Sequence, residues 1–577
     1  MSASPWFAHY DAGVPRTLAP YPARTLLDYF ADGVRARPDA PVLLFKGGTL
    51  TYRELDAQAN AFAAALTKLG VRHGDRVALC LPNCPQFMIA QFAAWRLGAV
   101  ILPMNPMYNA DEMHHPLEVS GAETVVVLTP FYARVKEAIA GTAVKHVIAT
   151  NIKEYLPPLM RVLFTLFVEK KEGHRVTLAA GDLAFAELLS KHAGAPSPAA
   201  TVQGSDLATL LLTGGTTGEP KCAETLHHEY VEAAMQVGAW IGTVLEEWSS
   251  PIMVPLPLFH VYANVGVQGV GLVNHSPIVL VPNPRDLKDV MKSIARTRPA
   301  FFCGVPTLYA AIVNHPMAKS GKLDFTSLKA CISGSSPLLA ETKKRFEAMT
   351  GGRIIEGYAL TESGMAAVVN PVKGENKLGS VGMPLPDVEL LIVDPDSGER
   401  EMPLGEDGEI ILRAPNIMRG YFRNPKESAE VLRAHGAGGK WLFTGDLGHL
   451  DSDGYLFIVD RKKELIKASG FQVWPREVEE AIAKFPAVAE VGVTGIPDPQ
   501  KGEIVFAAIV LRSGMTATAD EIKTFLRDHL AHYKVPAKIE FRRELPKSMV
   551  GKVLRRKLRD PAPSPPPAHR ADCRYRA

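Results

Sequence analysis

The residue types best suited to chemistry gather in one stretch, LLTGGTTGEPK, residues 211–221. The apolar run 210–212 reads as the end of a buried strand. Glycines and threonines follow, then Pro220 and Lys221. Glycine lets a backbone turn sharply and approach a ligand closely. Successive N–H groups, hydroxyls and an ammonium facing one small volume form a cradle for phosphate. The loop is not a Walker P-loop, which requires Gly-Lys followed directly by Ser or Thr. Here Lys221 follows Glu219-Pro220 and precedes Cys222.

This loop resembles the phosphate-binding loop of the adenylate-forming, or AMP-binding, superfamily. Further motifs of that family follow in order from about residue 50 to residue 556, and Thr-Gly-Gly-Thr-Thr-Gly is similar to the bacterial long-chain fatty acid–CoA ligase branch. The resemblance implies that Thr213, Gly214, Gly215, Thr216, Thr217, Gly218 and Lys221 hold the phosphates of ATP. In EGYALTES, residues 356–363, it implies an adenine-binding segment of Glu356, Gly357, Tyr358 and Ala359, with Tyr358 stacked on the base. Thr361 then lies near the α-phosphate, and Glu362 ligates Mg2+ together with Thr213. Gly334, Ser335 and Ser336 line the adenine and the acyl entrance, and Phe259, His260 and Gly334 border the acyl pocket. In FTGDLGHLDSDGYLFIVDRKKELIK, residues 443–467, Asp446 and Arg461 bind the ribose and Lys463 is a hinge. Lys467, Ser469 and Gly470 serve the thiol-transfer step with CoA. Lys552, in PKSMVGKVLRR, contacts the carboxylate and α-phosphate during adenylation. Ala359 and Cys222 stand where the family more often has glycine. Taken alone, residues 460–463 read as a solvated charge run, and Arg555, Arg556 and Arg559 as a basic surface patch.

The implied activity is ATP-dependent activation of a fatty acid through an acyl-adenylate, then transfer to CoA. An aryl or other acid, or a carrier-protein thiol as acceptor, is the alternative. A catalytically dead lipid- or AMP-binding protein would require loss of Lys552, Glu362 or Asp446, and all three are present. Expected partners are the fatty acid and CoA, with a second copy of the chain as a homodimer. A net charge of +3 over 577 residues argues against nucleic acid. The six scattered cysteines fit buried thiols in a reducing compartment rather than a zinc site. With no signal peptide pattern, the expected location is cytoplasmic.

The elements that must position these groups follow from periodicity. The length suits more than one core. Strands are expected at 49–52, 75–81, 100–103, 123–128, 145–150, 278–281, 300–304 and 330–333, and helices at 54–69 and 84–97. This alternation predicts an α/β fold. The resemblance adds its form: a large multi-layered N-terminal domain of mixed and parallel sheets flanked by helices (1–460), a hinge at 461–463, and a small mobile α+β C-terminal domain (464–559). The first 24 residues, rich in proline and aromatics, read as a packed arm, and the proline-rich tail 560–577 as disordered. YLPPLMRVLFTLFV, residues 155–168, is too short to span a bilayer. It reads either as a helix packed in a core through Leu159, Val162, Leu163, Leu166 and Phe167, or, with the basic residues up to 171, as a segment lying on a membrane surface.

Overall fold

The computed structural model describes residues 4–213, 220–436, 438–468, 471–498, 502–547 and 553–560. The chain forms two compact units. One comprises the residues up to Thr444 with Gly448–Ile458, the other Gly445–Leu447 with the residues from Val459 onward.

In the first unit, a seven-stranded sheet runs in the order Leu183–Ala184, His146–Thr150, Thr124–Leu128, Arg76–Cys80, Val100–Pro103, Leu207–Leu212 and Cys222–Leu226. All neighbours are parallel except the last pair. That pair flanks the candidate phosphate loop, so the loop joins two adjacent antiparallel strands. A nine-stranded sheet runs from Met383–Pro384 through Met365–Val369, Arg353–Leu360, Ala330–Ser333, Phe301–Gly304, Ile252–Val254, Ile278–Leu280 and Pro41–Phe45 to Gly48–Thr51. Its middle is parallel and its edges antiparallel. Fully buried parallel strands read in sequence as unbroken apolar runs such as TVVVL at 124–128.

The helices follow equally from local chemistry. Thr51 and Glu54 form a reciprocal capping box that starts Tyr52–Lys68. Helix Pro85–Arg96 has no polar face, and every residue from Pro85 to Trp95 is buried. Asn83, just before it, binds the backbone of Val254, Leu256 and Leu258, which ties the end of a strand in one sheet to the end of a strand in the other. The N-terminal arm packs as expected. Trp6 is buried, and Tyr10 and Tyr21 donate to the Pro384 carbonyl and to Asp387.

Of the two readings of 155–168, packing of a helix into a core is not what the chain shows. The chain forms a 3-10 helix at Ile152–Tyr155, then an α-helix at Pro158–Leu163 that continues as a π-helix at Phe164–Val168. Leu159, Val162, Leu163, Leu166 and Phe167, the residues expected to pack, are all exposed, with Leu159 at 72% and Phe167 at 69%. An apolar stretch with no polar face does not reveal from periodicity alone whether another element covers it.

The second unit has a sheet of Phe471–Val473, Ile466–Ala468, Gly502–Leu511 and Val488–Asp498, with Lys538–Phe541 beside Gly502–Leu511. Helices Pro475–Ala483 and Ala519–Arg527 close its core through Val478, Ile482, Ile522 and Leu526, packed on Val493, Val505 and Ile509.

Candidate active site

Gly214, Gly215, Thr216, Thr217 and Gly218 lie outside the described residues, but the base of their loop is defined. The Thr213 N–H donates to the Lys221 carbonyl at 2.8 Å, and the Lys221 N–H donates to Thr213 Oγ1 at 3.3 Å. Cys222 does not disturb this base. Its side chain points into the apolar core of the seven-stranded sheet, where burial raises its thiol pKa to about 12. The Lys221 ammonium pairs with Glu427 and lies 4.9 Å from the centre of the Tyr421 ring.

The same tyrosine reaches the second motif. Tyr421 Oη donates to Glu362 Oε1 at 2.7 Å. Its hydroxyl is held neutral, because burial and the adjacent carboxylate raise its pKa, so it remains a donor. The backbone repeats the connection. Met418 N–H donates to the Glu362 carbonyl, Asn416 Nδ2 to the Ser363 carbonyl and Phe422 N–H to the Cys222 carbonyl. Tyr421 also forms an isolated bridge to Ala223. The segment 416–422 therefore stitches the strand leaving the phosphate loop to the turn that carries Glu362.

The adenine-side residues sit at the ends of adjacent parallel strands. Ala330–Ser333 leads to Gly334, Ser335 and Ser336, and Arg353–Leu360 carries Glu356, Gly357, Tyr358 and Ala359. Tyr358 is buried, Ala359 is exposed and Thr361 is buried. Glu356 Oε1 accepts from the Leu338 N–H. A Cβ at Gly334 would lie 3.4 Å from the Tyr262 ring, so this glycine leaves room between the serine loop and the segment after His260. Ser335 adopts φ 75°, a conformation that non-glycine residues take up with strain and that clusters at functional sites. His260 is half-buried, and burial lowers its pKa to about 4, so the ring is neutral near pH 7. Phe259 precedes it, and a π-turn at Tyr262–Val267 follows, an irregularity frequent at functional sites. This turn continues into Gln268–Val273. Between that helix and His227–Ile241 lies an apolar cleft of about 190 Å³ lined by Ala234, Met235, Gly238, Leu245, Val270 and Val273.

In the second unit, Asp446 is buried and accepts from Arg461 Nε at 2.8 Å, so the two expected ribose-binding residues touch. Lys463 and Lys467 are exposed. Ser469, Gly470 and Lys552 lie outside the described residues. Two charged residues depart from what their runs suggest taken alone. Asp460 is 4% exposed rather than solvated. Arg555, expected on a basic surface patch, is largely buried against Asp460, Glu464 and Glu479, because those carboxylates converge on it from three elements.

Residues 30–422 match the family model described as AMP-binding enzyme, and residues 477–552 that described as AMP-binding enzyme C-terminal domain. This chain is an AMP-binding enzyme. It is similar to the long-chain-fatty-acid–CoA ligase of Bacillus subtilis strain 168, with 36% identity covering 96% of this chain and 98% of the relative. It is 32% identical to a feruloyl-CoA synthase of Amycolatopsis, over 91% and 96% of the two chains. The fold resembles the crystal structure of the anthranilate CoA ligase AuaEII in complex with anthranoyl-AMP, at a TM-score of 0.80 and 27% identity over 93% and 97% of the chains. ATP-bound MatB from Rhodopseudomonas palustris gives a TM-score of 0.78 at 27% identity, over 93% and 98%.

For this AMP-binding enzyme, sequence reasoning missed Tyr421 and Glu427. No local spacing could find them, since Tyr421 is 59 residues from Glu362 and Glu427 is 206 from Lys221. A tyrosine near an acid and a lysine gives no signal until the fold joins them. The donors also suit a magnesium ion: Glu362 and Thr213 offer hard oxygen ligands, the type that ion prefers alongside substrate phosphates. Among the described residues, no group of three or more His, Cys, Asp or Glu side chains could hold a metal.

Proposed function

We propose that this AMP-binding enzyme is an acid–thiol ligase that activates a long- or medium-chain fatty acid. The fatty carboxylate attacks the α-phosphorus of ATP and pyrophosphate leaves, giving an acyl-adenylate. The CoA thiolate then attacks the acyl carbonyl and AMP leaves. The observation that supports this best is the 416–422 segment joining Lys221 and Glu362. Two anions can meet only where positive charge is preorganised, and this segment joins an ammonium and a carboxylate from distant motifs. Glu362 and Thr213 would hold magnesium, which when bound neutralises charge on the phosphate oxygens. Lys221 exchanges Glu427 for phosphate as nucleotide enters. Tyr358 takes the adenine face, Thr361 faces the α-phosphate, and Asp446 with Arg461 binds the ribose. His260, neutral at working pH, orients the carboxylate beside Phe259 and Gly334, and the apolar cleft has room for part of an acyl chain.

Lys552 supplies the ammonium that sits between carboxylate and α-phosphate in the first half-reaction. Residues 461–463, with Lys463 at the pivot, let the C-terminal domain exchange Lys552 for the Lys467–Gly470 face that admits the CoA thiol. Such a rotation keeps the reactive adenylate from water between steps. The exposed apolar helix at 158–168, with Arg161 within it and Lys170 and Lys171 just after it, docks on an anionic membrane surface from which a fatty acid is drawn.

The test is AMP release with and without CoA across saturated acids of increasing chain length and across aryl acids. CoA-dependent release fastest with octanoate or longer acids is expected. Faster turnover of aryl acids would replace the fatty-acid assignment with the aryl one, the activity that the name of the Amycolatopsis relative carries.

A further inference from the structure

The Arg555 guanidinium is the centre of a buried charge cluster that the reaction as described does not use. Its Nε and Nη2 donate to the two oxygens of Glu479 at 2.9 and 2.6 Å, a bidentate pair. Its Nη1 donates to Asp460 Oδ1 at 2.8 Å and also to Glu464. The arginine side chain is 16% exposed and that of Asp460 2%. The carboxylates are fixed in turn. Asp460 accepts the backbone N–H of Arg461 and of Arg476, and Glu479 accepts that of Val493. Three carboxylates thus converge on one guanidinium, more than a simple ion pair needs. The excess makes sense if the arginine must be held in one place, because a planar guanidinium with several partners has a fixed orientation as well as a fixed position.

What that orientation fixes is legible from the chain on either side. Asp460 and Glu464 bracket 461–463, just past the point where the chain enters its second unit. Arg555 lies three residues beyond Lys552 in sequence. The backbone between them is pinned as well. Val553 bridges to Lys547, Leu554 N–H donates to the Pro546 carbonyl at 2.8 Å, and Val553 and Leu558 pack with Phe506 and Leu545.

We infer that Arg555 is a positioning residue that locks the C-terminal base of the Lys552 loop to both flanks of the 461–463 segment, so that the lysine turns with that segment and arrives at a fixed place for adenylation. The inference rests on the proposed role of Lys552. An arginine serving stability alone would affect both half-reactions alike. A positioning arginine affects only the step that uses the lysine.

The experiment measures the half-reactions separately in the full-length protein: palmitate-dependent ATP–pyrophosphate exchange, and CoA-dependent consumption of preformed palmitoyl-AMP. Arg555→Gln is expected to lower exchange by about 30- to 100-fold, the scale of a misplaced catalytic group, with thiolation within about threefold. Arg555→Lys keeps the charge but not the bidentate fork and is expected to recover only part of the loss. Glu464→Gln removes one partner and leaves the Glu479 pair, so it retains the fold and shows the same bias at about 3- to 10-fold. Equal loss in both steps for Arg555→Gln and Glu464→Gln, or no loss in either, overturns the inference. Lys552→Ala is the separate control. If it retains exchange, the assigned role of the lysine is wrong, whatever Arg555→Gln does.

Discussion

Tyr421 serves two motifs at once, its ring beneath the Lys221 ammonium and its hydroxyl on Glu362. Removing the hydroxyl leaves the ring packed with Ala223 and Met418, so Tyr421→Phe should leave the fold intact. It should raise the magnesium concentration needed for half-maximal pyrophosphate exchange about tenfold, the worth of about 1.4 kcal/mol in one hydrogen bond to a charged group. Isothermal titration of Mg-ATP should weaken to match. An unchanged metal requirement would show that Glu362 needs no help in orienting. Lys221 and Glu362 were legible in sequence because each sits inside a dense local motif. Tyr421 was not, because an aromatic among MRGYF reads as one more half-buried side chain until folding brings it against both.

At the scale of elements, strands and helices were read from sequence wherever one physical signal dominated. Unbroken apolar runs gave the parallel strands Arg76–Cys80 and Thr124–Leu128, and helical spacing gave the helix Tyr52–Lys68, though it placed the start at residue 54 because the capping box of Thr51 and Glu54 went unread. The segment 158–168 was ambiguous because a helix apolar on every side is at home either in a core or on a membrane, and only the surrounding chain decides. The segment's large apolar side chains are exposed, not packed in the core of the chain. Burying each large one is worth about 1.5–3 kcal/mol, so Leu166→Glu with Phe167→Glu should abolish sedimentation with vesicles containing phosphatidylglycerol. Activity on a short, soluble acid such as octanoate should stay within about twofold. Undiminished sedimentation of the double variant would remove the membrane assignment.

Over the whole molecule, three histidines whose pKa burial lowers, His174, His227 and His260, make stability depend on pH. His227 is 1% exposed and His174 8%, and burial lowers all three to about 4 from the ordinary 6.5. As pH falls, the unfolded chain takes up these protons first. The stability present above pH 6.5 is therefore lost between 6.5 and about 4, at up to about 1.4 kcal/mol per pH unit for each group. The urea midpoint should fall between pH 7 and pH 5, and His227→Gln should flatten that fall. An identical slope in the variant would contradict it. The α/β character of the chain and the order of its motifs are readable in the sequence. Arg555 is not, because RRKLR has the composition of a solvated patch and only the fold reveals three carboxylates around its first arginine. The claim on which everything else depends is that a fatty carboxylate attacks ATP in this chain. ATP–pyrophosphate exchange in the absence of CoA tests it most directly. Exchange that requires palmitate or a shorter fatty acid and disappears in Glu362→Ala is predicted. Exchange that no fatty acid stimulates would contradict the account.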